Sequence, residues 1–313
     1  MIKCINEILK LNGGETMANP YIKSPISYTG GKYKLLPQIL PLFPQREFRV
    51  FWENFSGGCN IAQNIKAKSY ICCDVIEPLQ KMLTYLKDTD LDYILNAVDR
   101  IINYFELSKT NQEGFLKLRE IYNTYPSFEW SQNVHREALF FTLICYSFNN
   151  QIRFNKNGEY NMPFGKDRSS FNEQLRKNLT VWHNAVRNKH IIFSTKDFRD
   201  TFRQILVNGS PKDFCYLDPP YFAGSVATYN ENGGWTEQDE KDLLKYLDLI
   251  NDKGIPFALS NVLSHKGEDN QLLIDWSKDY NIHYINQSYA NCNYHKNMND
   301  KKEVTVEVLI TNY

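Results

Sequence analysis

Asp218-Pro219-Pro220-Tyr221 closes a short apolar run, Phe214-Cys215-Tyr216-Leu217. The run predicts a buried strand. Neither proline has an N–H to donate to a ladder, so the strand must stop there. The prolines also stiffen the backbone. They hold the Asp218 carboxylate, the Pro219 carbonyl and the Tyr221 ring in one small volume. That set suits a planar ring with an exocyclic amine. Two oxygens accept the amine hydrogens and the aromatic ring stacks on the face. A strand that merely ends in a proline turn would carry the same residues without chemistry.

A carboxylate at a strand end needs a sheet to place it. Arg49–Phe55 predicts a buried strand running into Ser56-Gly57-Gly58-Cys59-Asn60, with a helix expected from Ile61 to Lys66. A second strand, Ser69–Cys73, ends at Asp74. Strand, glycine turn, helix, strand and acid make a βαβ unit of nucleotide-binding type. The glycines let backbone approach a ligand closely, and an acid ending the second strand accepts bonds from ribose hydroxyls. Alone, Gly57-Gly58 is an ordinary tight turn and Asp74 a cap for the next helix. In register with Asp218 they point to one site.

The remaining elements follow the same alternation. Ser24–Leu36 predicts a glycine turn and a helix to about Leu40, stopped by Pro41 and Pro44. Val134–Phe148 is apolar nearly all round, hence a buried helix. Asn157-Gly158 between two short extended runs predicts a hairpin. Ile191–Ser194 predicts a strand ending near Asp197-Phe198. Then come a helix (Thr236–Asn251), a strand (Pro256–Asn261), a helix (Asn270–Tyr280), and strands at Ile282–Ile285 and Val304–Thr311. The fold class is α/β: a doubly wound, mainly parallel sheet formed by 19–86 and 190–313. Residues 87–189 form a helical insertion with a hairpin. Residues 1–18 stand apart: either Gly13-Gly14-Glu15 just before Met17 is the trace of a ribosome-binding sequence, with translation starting at Met17, or Ile2 to Leu11 form a short N-terminal helix.

Net charge is zero, so the whole chain does not advertise a polyanion partner. From Gln151 to His190, however, eight Lys/Arg face three acids, a local excess of five. Such a segment is either a polyanion footprint or a solvated helix face. The seven cysteines lack zinc-ligand spacing and mostly lie in apolar runs, as expected of reduced core residues in a cytosolic protein. The six histidines show no ligand spacing either. No apolar run approaches a transmembrane span.

Four segments, in order, resemble the Dam-type adenine-specific DNA methyltransferases (the D12 class, alpha group). Tyr28-Thr-Gly-Gly-Lys32 resembles the family's N-terminal cofactor motif. Glu53-Asn-Phe-Ser-Gly-Gly58 resembles its methionine-binding loop, Asp218-Pro-Pro-Tyr221 its catalytic motif, and Glu307–Tyr313 its closing strand. The resemblance covers Ser24 to Tyr313 and implies the S-adenosylmethionine-dependent methyltransferase fold. It also implies S-adenosylmethionine as donor and double-stranded DNA as substrate. Tyr28, Gly31, Lys32, Phe55, Gly57 and Gly58 would contact the cofactor. Asp74 would hold its ribose, and Asp197 with Phe198 its adenine. Asp218, Pro219, Pro220 and Tyr221 would be catalytic, with Asp218 also facing the cofactor. The insertion 87–189 would recognise the target through Asn149, Arg153, Asn155, Lys156, Asn161 and Lys166.

Such chemistry is direct in-line transfer to a flipped adenine, which relies on positioning and requires no metal and no covalent intermediate. Two departures stand out. Cys59 replaces a glycine common in the family. Asn150-Gln151 replaces the Gly-Leu of GATC-specific members, pointing to a different site, as in modification enzymes partnered functionally by a restriction endonuclease. Two rivals remain: an RNA adenine methyltransferase with the same chemistry, and a nucleic-acid-binding relative that has lost catalysis.

Overall fold

The computed structural model describes residues 20–28, 30–125, 134–223, 226–227, 234–265, 267–285 and 305–313. The expectations for residues 1–18, and Cys4 and Cys292, lie outside them.

Seven strands form the main path of one sheet: β1 (Phe48–Asn54), β2 (Ala67–Asp74), β3 (Ile191–Thr195), β4 (Phe214–Leu217), β5 (Phe257–His265), β6 (Asn281–Ile285) and β7 (Val306–Thr311). Their order is β3-β2-β1-β4-β5-β7-β6. The first five pair in parallel, and β7 runs antiparallel between β5 and β6. This is the expected mainly parallel, doubly wound sheet. Chain order reverses between β1 and β4, which is where such sheets bind ligands beyond their carboxyl ends. Register levels those ends: Asn54 stands opposite both Cys73 and Leu217.

The helices are α1 (Leu36–Ile39), α2 (Glu77–Asp88), α3 (Leu91–Tyr104), α4 (Gln112–Thr124), α5 (Arg136–Tyr146), α6 (Glu173–Val186), α7 (Phe198–Asn208), α8 (Glu237–Asp252) and α9 (Gln271–Trp276). Alternation along the strands splits the core in two. Phe51, Tyr70, Phe214 and Tyr216 face Leu83 of α2, Phe140 of α5 and Trp182 of α6. Trp52, Cys215 and Leu217 face Phe202 of α7 and Leu243 and Leu247 of α8. The first core runs unbroken from the sheet into the helices between β2 and β3. Within it α5 is buried at every position from Ala138 to Tyr146, as its all-round apolar pattern requires.

Two expectations change. The helix expected from Ile61 to Lys66 is a single 3-10 turn, Ala62–Asn64. Its polar groups are committed elsewhere. Asn60 Oδ1 accepts the Ser24 N–H at 3.0 Å and Asn64 Oδ1 the Ile22 N–H at 2.8 Å, strapping the N-terminal segment across the sheet end. The Ala62 N–H is given to Glu53 Oε2 at 2.9 Å. Side chains that bond backbone in this way compete with helix. The hairpin does fold back at Gly158 (φ +76°), but only through isolated bridges, Phe154 to Tyr160 and Ser147 to Phe164.

Candidate active site at the carboxyl ends of the strands

The side chain of Asp218, just past β4, is about one-fifth exposed. Lys32 reaches it from the turn before α1. Its Nζ lies 2.8 Å from Asp218 Oδ1 and donates to the Gly30 carbonyl at 3.0 Å. The same ammonium lies 5.2 Å from the centre of the Tyr221 ring. The Tyr221 hydroxyl is 3.2 Å from Asp218 Oδ1 and 3.3 Å from Glu307 Oε1 on β7, and its one proton serves one of them at a time. Lys32 and Glu307 are both buried, 3.8 Å apart. Burial pushes the Asp218 and Glu307 carboxyls up from their ordinary values, with Lys32 opposing the shift at both. The Asp218 charge pushes Glu307 up further, and burial drives the Tyr221 hydroxyl well up.

The loop after β1 is wound tightly. Phe55, Gly57 and Cys59 all have positive φ, at +59°, +46° and +53°. For Phe and Cys this is strained backbone, of the kind concentrated at ligand sites. A Cβ on Gly57 would stand 2.7 Å from the Tyr28 ring, so glycine here lets Tyr28 pack on the loop. Gly58 and Gly31 sit equally tightly, their added Cβ 3.1 Å from Tyr28 Cβ and 2.9 Å from the Tyr28 carbonyl oxygen. Asp74 fixes the loop from β2: Oδ2 accepts the Gly57 N–H at 2.8 Å and Oδ1 the Ile76 N–H at 3.0 Å.

On the other side, Glu53 is fully desolvated and pushed up to about 8, chiefly by burial. Cys59 Sγ lies 3.6 Å from Glu53 Oε2 and 3.4 Å from Cys72 Sγ. Cys59, at the position where the family commonly has glycine, therefore turns its thiol inward under the loop. The spacing of the cysteines gave no sign of this cluster. Both thiols are pushed up, and all five described cysteines are free and buried, as expected.

Asp197 caps α7 by accepting the Arg199 N–H at 2.9 Å. Arg199 in turn bonds Asp239 at 2.6 Å and Asp242 at 2.7 Å on α8. Phe198 packs 5.4 Å from Phe55 and 5.3 Å from Trp235 (ring centres). These three rings form an aromatic group beside the glycine loop, and Trp235 is held by its N–H to Glu240 Oε2 at 2.7 Å. At the end of β1 the Asn54 side chain is wholly buried, and neither amide atom has a partner. A buried amide of that kind calls for an explanation, and a bound polar ligand at the strand end is one.

The candidate DNA-reading residues gather on a separate arm, 147–168. The arm is anchored through Tyr160, whose hydroxyl meets Ser147 Oγ at 2.6 Å and whose backbone N–H donates to Asn123 Oδ1 at 2.8 Å. Arg153 is half-buried and braces the arm, its Nε donating to Asn161 Oδ1 at 2.8 Å and Nη2 to the Asn161 carbonyl at 2.9 Å. The Asn155 amide is engaged within the turn at both ends. Asn149, Lys156 and Lys166 are exposed. Arg168 lies over Phe148 at 4.8 Å and reaches Asn149. Of the other cations in the basic segment, Arg176 pairs with Asp99 and Lys189 donates to the Gln63 and Ile65 carbonyls. The excess charge of the segment is thus partly spent inside the fold.

Glu307, Trp235 and Asn54 were missed as site residues. Glu307 did leave a signal: a lone acid inside the apolar run Val306–Ile310. Trp235 left none, because its role depends on long-range packing.

Residues 28–291 match the family described as D12 class N6 adenine-specific DNA methyltransferase. The chain is 42% identical over 97% of its length to the type II methyltransferase M.FokI of Planomicrobium okeanokoites, and covers 45% of that protein. It is 39% identical over 94% of its length to the modification methylase StsI of Streptococcus sanguinis, covering 43% of it. It thus spans less than half of either relative. Similarity to the DNA adenine methylase of Escherichia coli K12 is lower, 24% over 83% of this chain and 86% of that one.

Proposed function

The chain belongs to the D12 class of N6 adenine-specific DNA methyltransferases, and from that premise we propose that it methylates adenine N6 at a specific site in double-stranded DNA, with S-adenosylmethionine as donor. One observation carries the assignment to the pocket. An N–H donor, the Lys32 ammonium, already sits 2.8 Å from Asp218 Oδ1 beside the Tyr221 ring. That is the arrangement an exocyclic amine needs.

The residues at the strand ends fit the cofactor. The orphaned Asn54 amide and the close-packed Gly57–Tyr28 loop would meet its polar end. Asp74 would accept from its ribose, and Phe55, Phe198 and Trp235 would wall its adenine beside Asp197. When bound, the cofactor supplies an electrophilic sulfonium methyl. The chain's own residues then do the rest. Asp218 and the Pro219 carbonyl accept the two N6 hydrogens, which turns the nitrogen lone pair toward the methyl. Pro220 keeps the motif rigid, and Tyr221 stacks on the base. Transfer is in line and relies on positioning. The adenine leaves the duplex to reach this pocket, and the arm reads the surrounding sequence. The insertion 87–189 is the target-recognition unit in this proposal, and 19–86 with 190–313 the catalytic one.

Among the described residues no helix is long and apolar enough to cross a membrane. A DNA substrate is consistent with the cytoplasmic setting expected from the sequence. The names of the relatives favour a modification role alongside a cognate restriction endonuclease.

Asp218→Asn tests the assignment. It keeps the volume, removes the charge and offers only one acceptor. Methyl transfer to DNA, followed with labelled S-adenosylmethionine, should fall by about a thousandfold or more, as when a transition-state contact is lost. A variant that kept full activity would remove Asp218 from the mechanism.

A further inference from the structure

Two carboxylates, Glu307 buried and Asp218 mostly so, share two donors in this pocket. Lys32 Nζ and the Tyr221 hydroxyl both lie on Asp218 Oδ1, at 2.8 and 3.2 Å. Glu307 Oε1 stands 3.8 Å from the first and 3.3 Å from the second. If the adenine amine takes Asp218 Oδ1, whose two lone pairs face Lys32 and Tyr221, that oxygen must give up one of these donors. An ammonium released inside a buried pocket needs another counter-charge at once, because desolvated charge without a partner is strongly unfavourable. Glu307 is 4% exposed and fixed on β7 opposite Val262 of β5, so it cannot retreat to water. Among the described residues this carboxylate faces Lys32, Tyr221 and, as a like charge, Asp218.

We propose that Glu307 is a positioning residue for methyl transfer, taking over the Lys32 ammonium and the Tyr221 hydroxyl when the target amine occupies Asp218. The proposal rests on the reading of Asp218 given above. Glu307 touches neither base nor cofactor in it. It makes room on Asp218 Oδ1 for the amine, holds the Tyr221 ring by its hydroxyl, and keeps one negative charge beside Lys32 throughout.

Glu307→Gln keeps the shape and an acceptor for Tyr221 but removes the charge. The single-turnover methylation rate should fall about ten- to a hundredfold, the worth of one charge-assisted hydrogen bond. The dissociation constant for DNA should stay within about twofold, since the arm and the phosphate contacts carry it. A wild-type rate per folded molecule would overturn the proposal. A second measurement needs no activity. Asp218→Asn imitates the occupied state by removing Lys32's nearest charge. In urea denaturation of the free enzyme, Glu307→Gln should then lower the midpoint more in the Asp218→Asn background than in wild type. In wild type the same change also relieves repulsion between the two carboxylates. An equal or smaller loss in the Asp218→Asn background would overturn the handover. If the wild-type protein moved no methyl to DNA adenine, the functional reading would fall, while the denaturation comparison would still decide the Lys32–Glu307 partnership.

Discussion

The strand-end pocket and the arm treat polar groups in opposite ways. In the pocket, Lys32, Asp218, Tyr221 and Glu307 meet one another and Glu53 is buried under the glycine loop, their carboxyls pushed up, and that loop has three residues at positive φ. On the arm, Asn155, Arg153 and Asn161 are tied to nearby backbone, and the lysines point into solvent. Buried groups that answer to each other are sensitive to charge and act jointly. Groups tied to local backbone shape a surface and act singly. Substitutions should therefore have large, pH-dependent and coupled effects in the first region, and small, salt-dependent and additive ones in the second.

The largest contrast should come from Glu53. Its carboxyl is pushed from about 4.5 to about 8 by burial. As pH rises through that window the unfolded chain loses the proton while the folded chain keeps it. The folded state then binds more protons, so stability falls with rising pH. The loss begins near the ordinary value, is complete above about 8, and amounts to a few kcal/mol at about 1.4 per unit. Glu53→Gln should remove the Glu53 share of this slope and leave the smaller share of the other raised carboxyls. Denaturation of both proteins at pH 5, 7 and 8.5 measures it. Parallel stability curves would show that the pocket's burial leaves Glu53 ionised.

Asp74→Ala comes next. It strips the acceptor from the Gly57 and Ile76 amides, and the proposed ribose bonds with it. Cofactor affinity by calorimetry should drop about ten- to a hundredfold. Stability lost with an unchanged dissociation constant would make Asp74 a builder of the loop alone.

These residues also mark how far the sequence could be read. Strand ends are legible because a strand that stops leaves a sharp trace: Asp74, Asp197 and Asp218 each follow an apolar run, and each lies at the predicted end. The glycine loop was legible as a turn. Its grip on Tyr28 was not, because that contact spans about thirty residues. The helix expected at Ile61–Lys66 failed for a similar reason: Asn60 and Asn64 are claimed by Ile22 and Ser24, which no local window contains. Glu307 on β7 and Trp235 just before α8 complete the site from far along the chain. Arg153, expected as a target-reading residue, also braces Asn161 through Nε and Nη2, a contact no local pattern announces.

That brace separates two roles on the arm. Asn161→Ala removes the side-chain half of the brace and leaves the guanidinium, still bonded to the backbone carbonyl at that position. Arg153→Ala removes the whole brace and the guanidinium. If Arg153 reads guanine, Arg153→Ala should relax the preference at one base pair by about 1–3 kcal/mol. Asn161→Ala should lower methylation modestly, and equally on the cognate site and its single-base variants. Matching profiles for the two variants would assign Arg153 to the scaffold of the arm.

The smallest effect should be at Lys156. It lies in the turn, exposed, two residues before Gly158 at the tip. A lysine there offers a mobile point charge with no fork to match a base edge, and so it suits phosphate. Lys156→Ala should weaken binding only a few-fold and by the same factor on every sequence. One fewer counterion is then released, and the slope of log affinity against log salt should fall by about 0.9. The rate of transfer from the bound state should not move, because nothing in the pocket depends on the tip. Binding titrations of cognate and non-cognate duplexes at two salt concentrations, with single-turnover rates alongside, give all three quantities. A change in sequence preference, or in the transfer rate itself, would show the arm and the pocket to be coupled, and the division between a cooperative interior and an additive surface would no longer hold.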